Sequence, residues 1–318
     1  MSELKIGDIV ARKSYGCDVF FKVVNITNNG RENIITIKGI SYRIEADAPE
    51  SDLEVQPDNK VREYRDRCCH LAEQSRGDNR TRERSKVNFY SARYRGYSKK
   101  TYKRDTSNEE AGIIRIPGRV LHLDGDKDYL ENCLIEYRKL GLSVVGQYVP
   151  EKDQPGRVGD LLREYRPDIL VLTGHDGFIK GQDSYANLAS YRTSRYFIEA
   201  VKEARKFNND MDGLVIFAGA CQSMYNEIIK AGANFASAPF RELIHALDPV
   251  KVCQKVAFTG VDTVLAAEDV IENTITGKPV LEVFKHGEST AKGIQWSLTN
   301  NFCVKIKKTL DIIKFPLL

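Results

Sequence analysis

Asp168-Ile169-Leu170-Val171-Leu172-Thr173-Gly174-His175-Asp176-Gly177 is the stretch whose reading decides the fold. Its apolar middle carries no alternating polar residues, the pattern of a strand covered on both faces in a parallel sheet. The block then gives way to glycine and one imidazole where a turn begins. A second stretch has the same grammar: Gly213-Leu214-Val215-Ile216-Phe217-Ala218 runs into Gly219-Ala220-Cys221-Gln222-Ser223. Outward from these two, strands are expected over 116–123, 142–149 and 234–237, and helices over 128–140, 158–165, 190–206 and 222–230. Val252 to Thr259 reads as a further strand. Alternation at this spacing predicts an α/β domain over 113–318, a mostly parallel sheet flanked by helices and wound by βαβ crossovers.

The first 56 residues differ. Short β-rich runs at 8–12, 19–24, 34–40 and 42–44 are separated by turn signals such as Asn28-Asn29-Gly30, and four or five strands in this length suggest a small SH3-like β-barrel. Such barrels bind many kinds of partner, so this one names no ligand. Residues 57–112 read as a basic linker, helical or flexible. Between Arg76 and Arg104 stand 11 Lys or Arg against two acids, with Phe89, Tyr90, Tyr94, Tyr97 and Tyr102 among them. That mixture suits a nucleic-acid backbone with stacked bases. It equally suits a solvated linker whose charge keeps it from packing. The linker is the simpler reading, and nucleic acid is not expected as a partner.

Composition bounds the function classes. The chain has 318 residues, a formal net charge of +4 and 29% charged residues, so its average implies no polyelectrolyte partner. No apolar run reaches the ~20 residues of a membrane span. The opening Met-Ser-Glu-Leu-Lys-Ile-Gly-Asp lacks a signal core, so a cytoplasmic location with reduced thiols is expected. Seven dispersed cysteines, with no C-x2-C pair, suggest neither a disulfide framework nor a zinc site. No metal or organic cofactor is expected.

In an open parallel sheet, sites form beyond the carboxyl ends of the strands. If strands 168–173 and 213–218 are neighbours, His175 and Cys221 lie side by side although 46 positions apart. The pairing has a chemical purpose. A free thiol is only about 3% thiolate at pH 7. A nearby imidazole raises that fraction, as does the N-terminus of a following helix, which is expected to begin at Cys221. The thiolate then attacks a carbonyl, and His175 protonates the leaving amine. The amide of Cys221 and one from the Asp176-Gly177 turn are the candidate oxyanion donors. Taken singly, a cysteine after a strand is small apolar packing and a loop histidine is a surface residue. Two such strand ends together favour catalysis.

These residues resemble the signature of the caspase-like, clan CD peptidases: one hydrophobic block ending in His-Gly and a later one ending in Ala-Cys. Ala220-Cys221 matches; Asp176 separates His175 from Gly177, which leaves the second oxyanion donor open. With Ile6-Gly7-Asp8-Ile9-Val10-Ala11-Arg12-Lys13-Ser14-Tyr15-Gly16, the 168–177 stretch and Phe217-Ala218-Gly219-Ala220-Cys221-Gln222-Ser223, the chain is similar to the YabG family of sporulation-specific cysteine proteases over nearly its whole length. The resemblance implies a caspase-like fold and a mother-cell protease, possible also in the spore coat. Its substrates would be spore-coat and related proteins, cut after Arg or Lys, with self-processing in the basic linker as a further possibility. An acid must then hold the basic side chain, and Asp176, Asp183 and Glu199 are the candidates by proximity in sequence.

Two rivals remain open. The Gly219–Ser223 segment also resembles the nucleophile elbow of class I glutamine amidotransferases, with His286 and Glu288 as downstream partners of Cys221. Alternatively the chain is a non-enzymatic scaffold or nucleic-acid-binding protein, for which Cys221 is dispensable.

Overall fold

In the computed structural model of the protein, the described residues are 4–28, 30, 32–74, 117–179, 181–182, 184–237, 244–260, 263–265, 267–276 and 304–305. The first five strands are β1 (Ile9–Arg12), β2 (Phe20–Asn28), β3 (Asn33–Gly39), β4 (Glu45–Pro49) and β5 (Leu53–Val55). They form an antiparallel sheet in the order β4-β3-β2-β1-β5. Alternation along the strands turns Val10, Phe21, Val23, Ile35 and Ile37 into one small core. Helix α1 (Asp58–Gln74) lays Val61, Tyr64 and Cys68 on Ala11 and Phe20, with the Phe20 and Tyr64 rings stacked 4.5 Å apart. This helix takes up the start of the expected linker; the basic run 76–104 lies outside the described residues.

The run at 42–44 is not a strand of this sheet. β3 ends at Gly39, where a Cβ would meet the backbone oxygen of Tyr42, so the chain folds back tightly. Tyr42 instead forms an isolated antiparallel bridge with His245, far along the chain.

The second sheet contains β6 (Val120–Asp124), β7 (Val144–Tyr148), β8 (Ile169–Thr173), β9 (Val215–Ala218) and β10 (Phe235–Ala236). All are parallel, in the order β10-β9-β8-β6-β7. Period-two alternation sends Leu121, Leu123, Leu170, Leu172 and Ile216 to one face, against α3 (Gln154–Tyr165) and α4 (Ser194–Phe207). Val120, Ile169, Val171, Val215 and Phe217 go to the other, against α2 (Lys127–Lys139) and α6 (Asp248–Phe258). Each such side chain contributes about 1.5–3 kcal/mol when fully buried. Short elements complete the described chain: α5 (Tyr225–Lys230), α7 (Ala267–Ile271) and the antiparallel pair β11 (Val264–Leu265) and β12 (Val304–Lys305).

Two further sequence expectations are corrected. Val252 to Thr259 is not a strand but, through Phe258, the later part of α6, which has proline in its first turn and Val250, Cys253, Val256 and Ala257 turned to the sheet. Its β-branched residues gave a strand-like pattern, and burial along a helical stripe overrode it. The helix after Cys221 begins only at Tyr225, so the thiol does not sit at a helix N-terminus.

One buried ion pair joins the two sheets. Arg43, from the fold-back after β3, is 1% exposed and grips Asp124 at the end of β6 with two hydrogen bonds of 3.1 and 2.8 Å. Its guanidinium also lies 5.0 Å over the Tyr129 ring, and the Tyr129 hydroxyl donates to the carbonyls of Gly39 and Tyr42. Burial pushes the Asp124 carboxyl up, but the Arg43 charge and hydrogen bonds from His122 and Arg43 outweigh it and hold the group well below the usual carboxylate range. Removing one partner would strand the other charge in the core. Arg43→Met is therefore expected to cost about 3–5 kcal/mol of stability, and adding Asp124→Asn to recover part of that loss. Denaturant unfolding measures both; a single-variant cost below about 1 kcal/mol would contradict a structural role for the pair.

Candidate functional site

The parallel sheet changes winding direction at β6, whose neighbours are β7 on one side and β8 on the other. Such a switch point opens a crevice at the carboxyl ends. Three loops leave that edge together. Asp126 follows β6, His175 follows β8 and Cys221 follows β9. In the β8–β9 register Leu172 pairs with Ala218, and His175 and Cys221 each stand three residues further on. The two loops are also tied directly, since the Phe178 amide donates to Gln222 Oε1 at 3.3 Å.

His175 is held from two sides. Its Nε2 lies 2.7 Å from Asp126 Oδ2, and its backbone amide donates to Glu151 Oε1 at 2.6 Å. Glu151 reaches that amide only because residues 125 and 174 are glycines; a Cβ at either would collide with its carboxylate. Asp126 is the N-cap of α2, accepting the amides of Asp128 and Tyr129, and Lys38 of β3 binds it as well. Burial acts to raise the Asp126 carboxyl, yet the bonds from His175, Lys38 and the Tyr129 amide hold it well below the usual range. Asp126 escaped the sequence reading. Its signal was present: Val120-Leu121-His122-Leu123-Asp124-Gly125-Asp126 is a third hydrophobic block ending in glycine and a reactive group.

Tyr129 marks the common face of the site. Its ring lies 5.6 Å from that of His175. Burial pushes its phenol up, and the charges of Asp126 and Cys221 add to that against the opposing Arg43.

Cys221 is 2% exposed. Its Sγ accepts the Ile244 amide at 3.3 Å and lies 3.9 Å from the Ile244 carbonyl. The 244–246 segment is fixed in turn by the fold-back of the first sheet: the Arg43 amide donates to the Ile244 carbonyl and the Ala246 amide to that of Ser41. Burial pushes the Cys221 thiol up to about 11, against the lowering effect of the Ile244 amide. The Cys221 loop is also tightly wound. Gly219 has φ +108°, and Gln222, directly after the cysteine, has φ +61°. Left-handed backbone at a non-glycine residue costs of order 1 kcal/mol and concentrates at functional sites.

The remaining candidates divide. Asp176 is half-buried and satisfied, its carboxylate accepting the amides of Gly177 (2.8 Å) and Thr193 (2.9 Å) and the Ser194 hydroxyl. Ser194 Oγ also accepts the Met224 amide, so Asp176 braces the His175 loop, the start of α4 and the Cys221 loop together. Burial raises its carboxyl despite these bonds. The Gly177 amide, a candidate oxyanion donor, is thus engaged with Asp176. Glu199 lines an open groove of about 680 Å³ between α3 and α4, with Asp160, Arg163 and Glu203; none of its neighbours there belongs to the His175 or Cys221 loops. Asp183, His286 and Glu288 lie outside the described residues. His122 is a fully buried core histidine, bonded to Tyr137 and Thr173. Among the described residues no three His, Cys, Asp or Glu side chains cluster as a metal site requires, and no helix is long and apolar enough to cross a membrane.

Comparison with known proteins adds a lineage to this geometry. The family described as YabG peptidase U57 matches residues 5–286. The sporulation-specific protease YabG of Bacillus subtilis (strain 168) is 39% identical over 279 residues, which cover 86% of this chain and 92% of that protein.

The closed packing around Cys221 has a direct chemical readout. A thiol near 11 instead of 9 carries about a hundredfold less thiolate at neutral pH. Alkylation of Cys221 by iodoacetamide is expected to be correspondingly slow at pH 7.5 and to rise about tenfold per pH unit, followed by mass spectrometry of its peptide. Fast, pH-independent labelling between pH 6 and 9 would contradict the closed arrangement.

Proposed function

The chain belongs to the YabG peptidase family, and on that premise we propose that this peptidase is a cysteine endopeptidase with Cys221 as nucleophile and His175 as its base. The observation that carries the proposal is the matched position of the two residues beyond neighbouring parallel strands, with Asp126 on the far nitrogen of the imidazole. With Nε2–H donated to Asp126, Nδ1 is the nitrogen left to take the thiol proton. The thiolate attacks the scissile carbonyl and a C–S bond forms. The C–N bond breaks as the imidazolium returns that proton to the leaving amine. A water deprotonated by His175 then releases the acyl group and restores the thiol. The negative oxygen of the intermediate is met by the Cys221 amide and an amide of the Asp176-Gly177 turn, Gly177 exchanging its bond with Asp176 for one to substrate. Substrate entry requires the 244–246 segment to move off Cys221.

The relative's name supplies the setting, sporulation; spore-coat and related proteins are the substrates we propose. We place the protein in the mother cell or spore coat. Cleavage after Arg or Lys needs a carboxylate with unfilled valences. Asp176 is committed to Gly177, Thr193 and Ser194, and Glu199 to another groove, which leaves Asp183 of the His175 loop as our assignment. A basic linker would itself offer cleavage sites, so self-processing belongs to the same proposal. The strand orders β4-β3-β2-β1-β5 and β10-β9-β8-β6-β7 support a division into an SH3-like barrel over 1–56, a linker over 57–112 and a caspase-like domain over 113–318.

Incubation of the purified protein with a spore-coat protein, followed by sequencing of product termini, tests mechanism and specificity together. Wild type is expected to yield fragments ending in Arg or Lys, and Cys221→Ala and His175→Ala to lose at least about a thousandfold in rate. Undiminished cleavage by both variants would refute the assignment. Loss with His286→Ala but not His175→Ala would favour the amidotransferase arrangement instead.

A further inference from the structure

We propose that Lys38, on the N-terminal sheet, is a positioning residue of the catalytic centre, acting on His175 through Asp126. The inference rests on the reading of His175 as the base. Lys38 Nζ lies 2.7 Å from Asp126 Oδ1 and 2.6 Å from Oδ2, and 2.9 Å from Asp128 Oδ2. The Lys38 side chain is 12% exposed and that of Asp126 10%, so the contact is largely shielded from water and salt. Its ammonium also stands 4.8 Å over the ring of Tyr129, which lies 5.6 Å from the His175 imidazole.

The backbone of Lys38 is immobilised on both sides, paired with Lys22 of β2 and Glu45 of β4. A side chain from such a strand is a precise support, unlike one from a loop. The Asp126 carboxylate therefore has all its valences assigned: the start of α2 and Lys38 on Oδ1, His175 and Lys38 on Oδ2. An acceptor fixed in this way selects the imidazole tautomer with its proton on Nε2 and turns the ring so that Nδ1 is available to the thiol. The first sheet is then part of the catalytic machinery, through one lysine, besides being docked to it. The plainer alternative is that Lys38 is an interface salt bridge only, and that alternative makes different predictions.

The test uses the full-length chain carrying Cys221→Ala, labelled with 15N-histidine, at alkaline pH. The His175 resonances are expected to report the Nε2–H tautomer; the Nδ1–H tautomer in this otherwise native protein would overturn the proposal without any Lys38 variant. Adding Lys38→Met is expected to give an averaged mixture of tautomers, and Lys38→Arg to preserve the native one. In the active enzyme, Lys38→Met is expected to lower kcat about tenfold to a hundredfold with KM within twofold, and Lys38→Arg to restore most of it. A folded Lys38→Met protein with native tautomer and native kcat makes Lys38 an interface contact alone and defeats the inference. A peptidase that stays active with Cys221→Ala defeats the underlying mechanism instead, and the tautomer measurement separates the two failures because it needs no substrate.

Discussion

The guanidinium of Arg43, buried against Asp124, is the constraint on which the rest of the molecule is arranged. A charge this deep is tolerable only with a bidentate partner and a closed shell around it. Asp124 supplies the first. The second comes from Tyr129, Cys133 and the 244–246 segment. Meeting the two terminal nitrogens of one arginine therefore fixes the end of β6, the face of α2 and the strand-like segment that covers Cys221. Elements far apart in sequence are held at one point by a single desolvated cation.

The site that results is assembled from three strand ends and one foreign sheet. β8 and β9 bring imidazole and thiol to matching positions, β6 adds a carboxylate behind the imidazole, and β3 adds a lysine behind the carboxylate. Glu151, wedged where glycines stand at 125 and 174, keeps the ends of β6 and β8 from drifting apart. Opposing this order, the cysteine is sealed under Ile244 and carries a thiol well above neutrality. The described arrangement is thus organised but covered, with the proposed nucleophile sealed beneath Ile244.

How much of this was legible in the sequence depended on the range of the forces involved. Uninterrupted apolar blocks announced the parallel strands, because burial on both faces leaves its mark residue by residue. The block-then-glycine pattern exposed His175 and Cys221 for the same reason. It also ran through Asp124-Gly125-Asp126, but attention to nucleophile and base passed over an acid whose value lies in what it holds. Val252 to Thr259 misled because β-branched residues fit a helix when its stripe is buried. Lys38 and Arg43 left no local trace: one reads as the solvent face of an alternating strand, the other as the middle of the short β-rich run at 42–44, and only the folded neighbourhood gives them partners.

The docking of the two sheets bears on what a broken chain would be. Residues 75–119 connect α1 to β6, yet the described contacts that join the two parts include those of Lys38, Gly39, Ser41, Tyr42 and Arg43 with residues of β6, α2 and the 244–246 segment. None of those bonds passes through the connection. Scission there would yield two polypeptides on a denaturing gel and one particle on a sizing column, with both pieces still gathered around the same centre.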